Sequence, residues 1–502
     1  MILLPRILHS IKVLLEEEGV YGQVTLQELE IDFLPLDRDI LSLELPQFTK
    51  CFYVNQDHTW IFNLARALWK LQVVFGRIPN VFGFGTAAPM VYEMSLKIID
   101  KMGDCKLGSH YEIGSLLIFD RNIDMLSPLL SPLTYTSLLD EEFDINLGFV
   151  NLKSDVTGRD KDVKLLLNHE NKVYAGIQDM HFTHVVSFLS AQIKELKSHS
   201  DKRKTMSIGE MKDFVGKDLK NVEQKHAAVS LHIGACEAIT KSRESYLREQ
   251  LDAESNIING SYQSQTFSYI EDKLAKQESL GQCLRLMCMY SYCNGGISSK
   301  DYKSLKLQFL QSKGFEFLSG FTSLKKLGIF VDADSQSQTY NRLSAGKLVS
   351  TAANIANIFP RQSSFRSTMK KLGLIPVTEE LDYKHPTCPS YVFGGSYIPL
   401  IPKLCDEITK HQSLSTVEDI LKTLPGETVC DINAIKPSPT GAMNKPLLDP
   451  IAGKVNLVYF LGGVTYAEIA ALRLIEQKTK QKFIIASTNI TNGNTFIQSV
   501  FS

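Results

Sequence analysis

The feature that most constrains this chain is a change of apolar period along its length. Short apolar runs alternate with helical stripes at both ends, while the middle carries helical stripes alone. Met1–Pro5, Ile31–Leu36, Cys51–Val54 and Leu116–Asp120 read as strands in the first 150 residues. Between them Ile61, Leu64, Ala65, Leu68, Leu71 and Phe75 recur at steps of three and four and stop at Gly76, which predicts an amphipathic helix. From about 160 to 330 the strand signal disappears. Val185, Leu189, Ile193 and Leu196 form one stripe and Met211, Val215, Leu219 and Val222 another, so two helices form a hairpin from about 184 to 239. Lys202, Arg203 and Lys204 crowd its tip, where Ser207 and Glu210 form a capping box for the second helix. Strand patterns return at Ser390–Phe393, Val455–Leu461 and Lys482–Ala486, with a helix from Thr465 to about Gln477. Residues 332–368 and the proline-rich 425–454 read as loops. Sheet halves need a common layer to bury their faces. The pattern therefore predicts an α/β sheet domain, mostly parallel with helices on both faces, interrupted by a large mainly α-helical domain.

Composition narrows the function. With 502 residues and 44% hydrophobic content the chain can bury more than one core. Its 54 Lys+Arg balance 55 Asp+Glu, which removes the field a dedicated nucleic-acid or polybasic membrane binder needs. The apolar run from Val455 to Val464 falls short of the roughly 18 residues of a spanning helix, so membrane attachment is expected only peripherally and through partners. Nine cysteines without framework spacing fit a reducing, cytoplasmic compartment.

No set of residues assembles into an active site. Gly83-Phe-Gly85-Thr-Ala-Ala88, with Asp104 about 20 residues on, matches a dinucleotide fingerprint, yet Ile78-Pro79-Asn80 before it and Pro89 after it favour a structural loop. Gly462-Gly463 before Thr465-Tyr-Ala-Glu468 could cradle an anion, although a glycine turn and a capping box explain the same residues. Asp120, Arg121 and Asp124 lie at the carboxyl end of a strand, where α/β enzymes build sites, and equally read as a buried, mutually neutralised corner. Cys283, Cys288 and Cys293 recur every five residues, unlike zinc ligands, and read as buried helix thiols. His181 and His184 could share a helix face but lack a third ligand. The expectation is no enzyme, no cofactor and no metal.

Taken whole, FDRNIDMLSPLLSPLTYTSLLDEEF resembles the hallmark of the syntaxin-binding, Sec-one/unc-eighteen (SM) family, with Asp120, Arg121, Asp124, Pro128, Tyr135 and Asp140 as its motif residues. FLGGVTYAEIAALR, containing Gly462, Gly463, Thr465 and Glu468, is similar to the signature of the vacuolar-sorting branch. LEEEGVYG, LLNHENKVY, LHIGACEAI, LRLMCMYSYCNGGISSKDYKSLKLQFLQS and YVFGGSYIPL resemble its B-type. The resemblance implies an arch-shaped fold. Residues 1–45 would be the end of the family's first domain, 46–150 and 390–502 the two halves of the second, and 151–389 the third, helical domain. It also implies an assembly chaperone that holds syntaxin-type and vesicle-type SNARE helices in register on the hairpin. Lys202, Arg203 and Lys204 would steer acidic SNARE surfaces, and Met211, Phe214 and Val215 would offer apolar contact, although the same apolar positions would serve the hairpin core. Its implied partners are a Spe-39-like (VIPAR) helical protein or class C tethering-complex subunits, on the cytosolic face of late endosomes and lysosomes. A complete amino-terminal domain would precede residue 1 in such a protein. The alternatives are an adaptor that binds its partner but no SNARE, and a nucleotide-dependent α/β enzyme.

Overall fold

The computed structural model describes residues 2–4, 9–28, 31–102, 112–202, 219–276, 278–334, 364–376, 381–411, 421–422, 424–432 and 455–501. The strands of the described residues are β1 (Ile2–Leu4), β2 (Leu26–Glu28), β3 (Leu34–Asp37), β4 (Ile40–Ser42), β5 (Asn80–Gly85), β6 (Ser115–Asp120), β7 (Phe149–Leu152), β8 (Val163–Leu166), β9 (Glu427–Ile432), β10 (Val455–Leu461) and β11 (Lys482–Ser487). Seven of them form one sheet in the order β3-β4-β11-β10-β6-β5-β9. Its five inner strands are parallel and its two edge strands antiparallel. β10 and β11 come from the far end of the chain yet sit between β4 and β6, with Val458 opposite both Leu117 and Ile485. Neither terminal stretch could complete this sheet alone.

The two-residue period of a strand sends alternate side chains to opposite faces. Val81, Leu116, Ile118, Leu457 and Tyr459 face one core, roofed by the helices Trp60–Phe75 and Ala87–Met102. Phe82, Phe84, Leu117, Phe119, Val458 and Phe460 face the other. The second core continues through the helix Tyr466–Thr479 into the helical region, where Leu284, Met287, Cys288, Phe309, Phe321 and Phe330 are buried. At about 1.5–3 kcal/mol for each large side chain removed from water, this shared layer fastens the helical insertion to the sheet.

Five expectations need correction. Cys51–Val54 is not a strand but part of a wide helical turn, Lys50–Val54, closed by Asn55 N–H donating to Lys50 O at 3.0 Å, with Phe52 stacked on Phe48. Ser390–Phe393 is a 3₁₀ turn opened by Pro389, which presets its own φ and offers no donor to a ladder. Gly83–Gly85 is the end of β5 and not a loop, because Pro79 lies before the strand and Pro89 falls in the first helical turn, where a missing N–H costs nothing. The proline-rich 425–454 contains a six-residue edge strand, β9, free of proline, and 332–368 contains the start of a helix, Ser364–Leu372.

Candidate functional site

The helices Phe182–Lys202 and Leu219–Arg243 pack along each other as the expected hairpin. Val185, Leu189 and Leu196 meet Val229, Leu231, Ala235, Cys236 and Ile239, and this seam joins Tyr135, Leu138, Leu139, Val150, Leu152, Tyr174 and Ile177 in one core. Glu195 and Lys225 pair across the seam at 3.2 Å. The hairpin therefore grows from the motif segment that contains Tyr135. The Tyr135 hydroxyl lies 2.8 Å from His232 Nδ1 inside the core, and burial pushes His232 down to about 4. Lys202 ends the first helix. Arg203, Lys204, Met211, Phe214 and Val215 lie outside the described residues, as do Asp104, Ser207 and Glu210.

Residues 123–140 are buried without a break, and their polar side chains are used to fix the backbone. Asp120 Oδ2 accepts from Ala87 N–H at 2.6 Å, so the start of the helix after β5 is capped by the chain's own carboxylate. A Cβ at Gly85 would come within 2.3 Å of the Asp120 Cβ, and Gly85 holds φ +102°, a conformation that requires glycine. Burial raises Asp120 to about 7 despite its amide donors. The fingerprint geometry of strand, turn and helix is thus present, with the anion position already taken.

Arg121 is paired with neither neighbouring aspartate. Its guanidinium makes a fully buried fork to Glu468, Nη2–Oε1 2.7 Å and Nη1–Oε2 3.1 Å, across 347 residues. Glu468 also accepts from Thr465 N–H at 3.0 Å while Thr465 Oγ1 accepts from Glu468 N–H at 3.2 Å, the reciprocal capping box. A Cβ at Gly462 would stand 2.7 Å from the Arg121 Cβ, so this glycine lets the arginine pass. Asp124 accepts from Leu126 N–H, Ser127 N–H, the Ser127 hydroxyl and Leu400 N–H. Asp140, raised by burial to about 7, accepts from Ile145 N–H and from Asn492 Nδ2 at 3.0 Å. Pro128 is buried beside Gly493. Gly463, at φ +99°, faces Thr491.

Sequence reasoning missed several tethers because their partners are distant in the chain. Glu141 takes Arg285 at 2.8 Å and Arg243 at 3.1 Å, tying the hairpin's last turn to the helix Leu280–Asn294. Arg285 also donates to Leu129 O and Leu130 O. Arg473 forks onto Asp39 at 2.7 Å twice and reaches Asp179 at 3.1 Å. Asp37, Asp39 and His169 converge within 4.8 Å, and Arg473 already supplies the cation they face. Cys283, Cys288 and Cys293 are buried in the helix Leu280–Asn294. His181 precedes its helix, stacks on Tyr383 at 4.2 Å, and does not share a helix face with His184. Among the described residues no helix is long and apolar enough to cross a membrane.

A seven-stranded sheet closed by strands from both ends of the chain, with a helical insertion in which the helices Phe182–Lys202 and Leu219–Arg243 pack along each other, defines the SM class of fold. The chain belongs to the Sec1 family, whose model matches residues 2–499. It is 35% identical to vacuolar protein sorting-associated protein 33B of Mus musculus, covering 99% of this chain and 81% of that protein. Vacuolar protein sorting-associated protein 33A of Rattus norvegicus is 31% identical over 97% of this chain and 78% of the relative. Among solved structures, the Unc18–syntaxin 1 complex from Monosiga brevicollis shares the fold at a TM-score of 0.63 and 17% identity, covering 99% of this chain and 81% of that one.

Proposed function

We propose that this chain is an SM-type SNARE-binding chaperone and tethering subunit for vesicle docking and fusion, serving intracellular protein transport to late endosomes and lysosomes. Membership of the Sec1 family over residues 2–499 carries the reading, together with relatives named for vacuolar protein sorting and a fold shared with a syntaxin complex. Residues 46–150 and 390–502 act as one rigid base, and 151–389 carries the hairpin. The reading assigns the chain no bond-making step.

The mechanism follows from helix physics. A SNARE bundle must fix several residues of several chains before its first contacts repay the ordering, so nucleation is the slow step. A hairpin whose root is locked by the Tyr135–His232 contact and the Glu141–Arg243 pair offers a fixed rail along which two helices can be held in register. Lys202, Arg203 and Lys204 attract acidic SNARE faces, while Met211, Phe214 and Val215 supply apolar contact. Partner recruitment through a Spe-39-like (VIPAR) helical protein or class C tethering subunits places the chain peripherally on the cytosolic face of the membrane. The test is binding of the purified full chain to the cytosolic domains of a syntaxin-type and a vesicle-type late-endosomal SNARE. Saturable capture of both supports the reading, and capture of neither overturns it.

A further inference from the structure

A cavity of about 180 Å3 opens beyond the carboxyl ends of β4, β10 and β11, bounded by Glu44, Gly462 and Asn489 from the three strand exits and by Phe496 and Ser499 from the helix Gly493–Phe501. This end of a parallel sheet is where open α/β folds bind ligands. The volume lies below the roughly 300 Å3 at which pockets for whole small molecules begin, and at about 30 Å3 per water it equals some six waters. One side chain or one short aliphatic chain fits.

The wall chemistry selects the occupant. Ile145, Ile490 and Phe496 give it apolar surface for an aliphatic stem. The lining hydroxyls have partners within the chain: Thr49 donates to Gly462 O at 3.3 Å, Ser499 donates to Phe496 O at 2.8 Å, and the hydroxyls of Thr491 and Thr495 lie 3.0 Å apart. Asn489 donates one amide proton to Ile490 O at 3.2 Å, and its Oδ1 accepts from the Thr488 hydroxyl at 3.2 Å. Among the described residues of the lining Glu44 is the one formally charged side chain, and it stands beside the carboxamides of Asn146 and Asn489. A partly apolar space whose one charged lining residue is a carboxylate matches a donor-only cation on an apolar stem.

The rim is also held in a costly shape. Glu44 sits at φ +52°, and Asp144 and Leu147, at +54° and +51°, flank the lining residues Ile145 and Asn146. Non-glycine residues in that region cost about 1–3 kcal/mol each and persist where the surroundings impose them. We propose that this cavity receives the alkyl-ammonium or guanidinium group of a lysine or arginine side chain presented by a protein partner. The assignment does not depend on that partner being a SNARE.

Calorimetric titration of the full chain with N-acetyl-lysine methylamide and N-acetyl-arginine methylamide tests it, with N-acetyl-norleucine methylamide as the uncharged equal of the stem and 1,5-diaminopentane as a free polyamine. The expected result is binding of the lysine or arginine amide at least tenfold tighter than the norleucine amide. Glu44→Gln should remove that tenfold preference, and Ser499→Leu, which fills the cavity, should abolish binding while leaving the melting curve cooperative. Equal binding of the norleucine amide, or unchanged binding in both variants, overturns the proposal. Diaminopentane binding tenfold tighter than either amide overturns the protein-side-chain assignment in favour of a polyamine. Because no SNARE is present in the titration, failure here is distinct from failure of the chaperone reading.

Discussion

Replacing Arg121 by Met removes the cation from a pair in which both side chains are wholly inaccessible to solvent. The Glu468 carboxylate would keep its Thr465 donors but lose the two guanidinium bonds of 2.7 and 3.1 Å. Breaking one side of a buried ion pair typically costs about 3–5 kcal/mol, because the remaining charge is stranded in low dielectric. At about 1.36 kcal/mol per power of ten, opening of the sheet centre should become roughly two to four powers of ten more frequent. Amide hydrogen exchange reads this at β10 and the helix Tyr466–Thr479, which flank the pair. The double substitution Arg121→Met with Glu468→Gln keeps an acceptor for the cap and strands no charge. It should therefore be less damaging than the sum of the single substitutions by about 2 kcal/mol. Protection of the Val458–Phe460 amides within threefold of the parent in Arg121→Met, or strict additivity in the double variant, would refute this account of the corner.

Further outcomes follow from the same geometry. Gly85→Ala should lower stability by about 3 kcal/mol, since φ +102° and a 2.3 Å approach to the Asp120 Cβ both forbid a side chain, and the thermal midpoint should fall accordingly. His232 is held neutral by burial, down to about 4 against an ordinary 6.5, so its contribution is present above about 6.5 and is lost as pH falls toward 4. Exchange protection in the helix Leu219–Arg243 should drop across that window, and His232→Gln should flatten the drop. Asp120 and Asp140, raised to about 7 from 3.8, act in the opposite sense: the folded state binds their protons more tightly, so their contribution weakens as pH rises from about 4 through 7. Reversing Lys202, Arg203 and Lys204 to Glu should weaken SNARE capture while partner binding remains, measured by titration against each separately.

Much of the sheet was legible because strands buried on both faces read as near-continuous apolar runs: Leu116, Ile118 and Leu457 face one core while Leu117, Phe119 and Val458 face the other. The shortest apolar runs were not. Cys51–Val54 and Tyr391–Phe393 are apolar because they are enclosed, and a run of three or four enclosed residues fits a turn as well as a strand. β9 was hidden by the prolines that follow it. The capping box of Thr465 and Glu468 was readable, being local, whereas its second duty toward Arg121 was not, since only folding brings residues 347 apart into contact. Glu141, Arg285 and Arg473 carried no local signal for the same reason.

The most direct measurement of the central claim is the rate of four-helix SNARE bundle assembly with and without the purified full chain, followed by fluorescence transfer between labelled syntaxin-type and vesicle-type SNAREs. Templating predicts a faster rate at stoichiometric chain, saturating with concentration and reduced by charge reversal at Lys202, Arg203 and Lys204. An assembly rate unchanged by the chain at every concentration would contradict it.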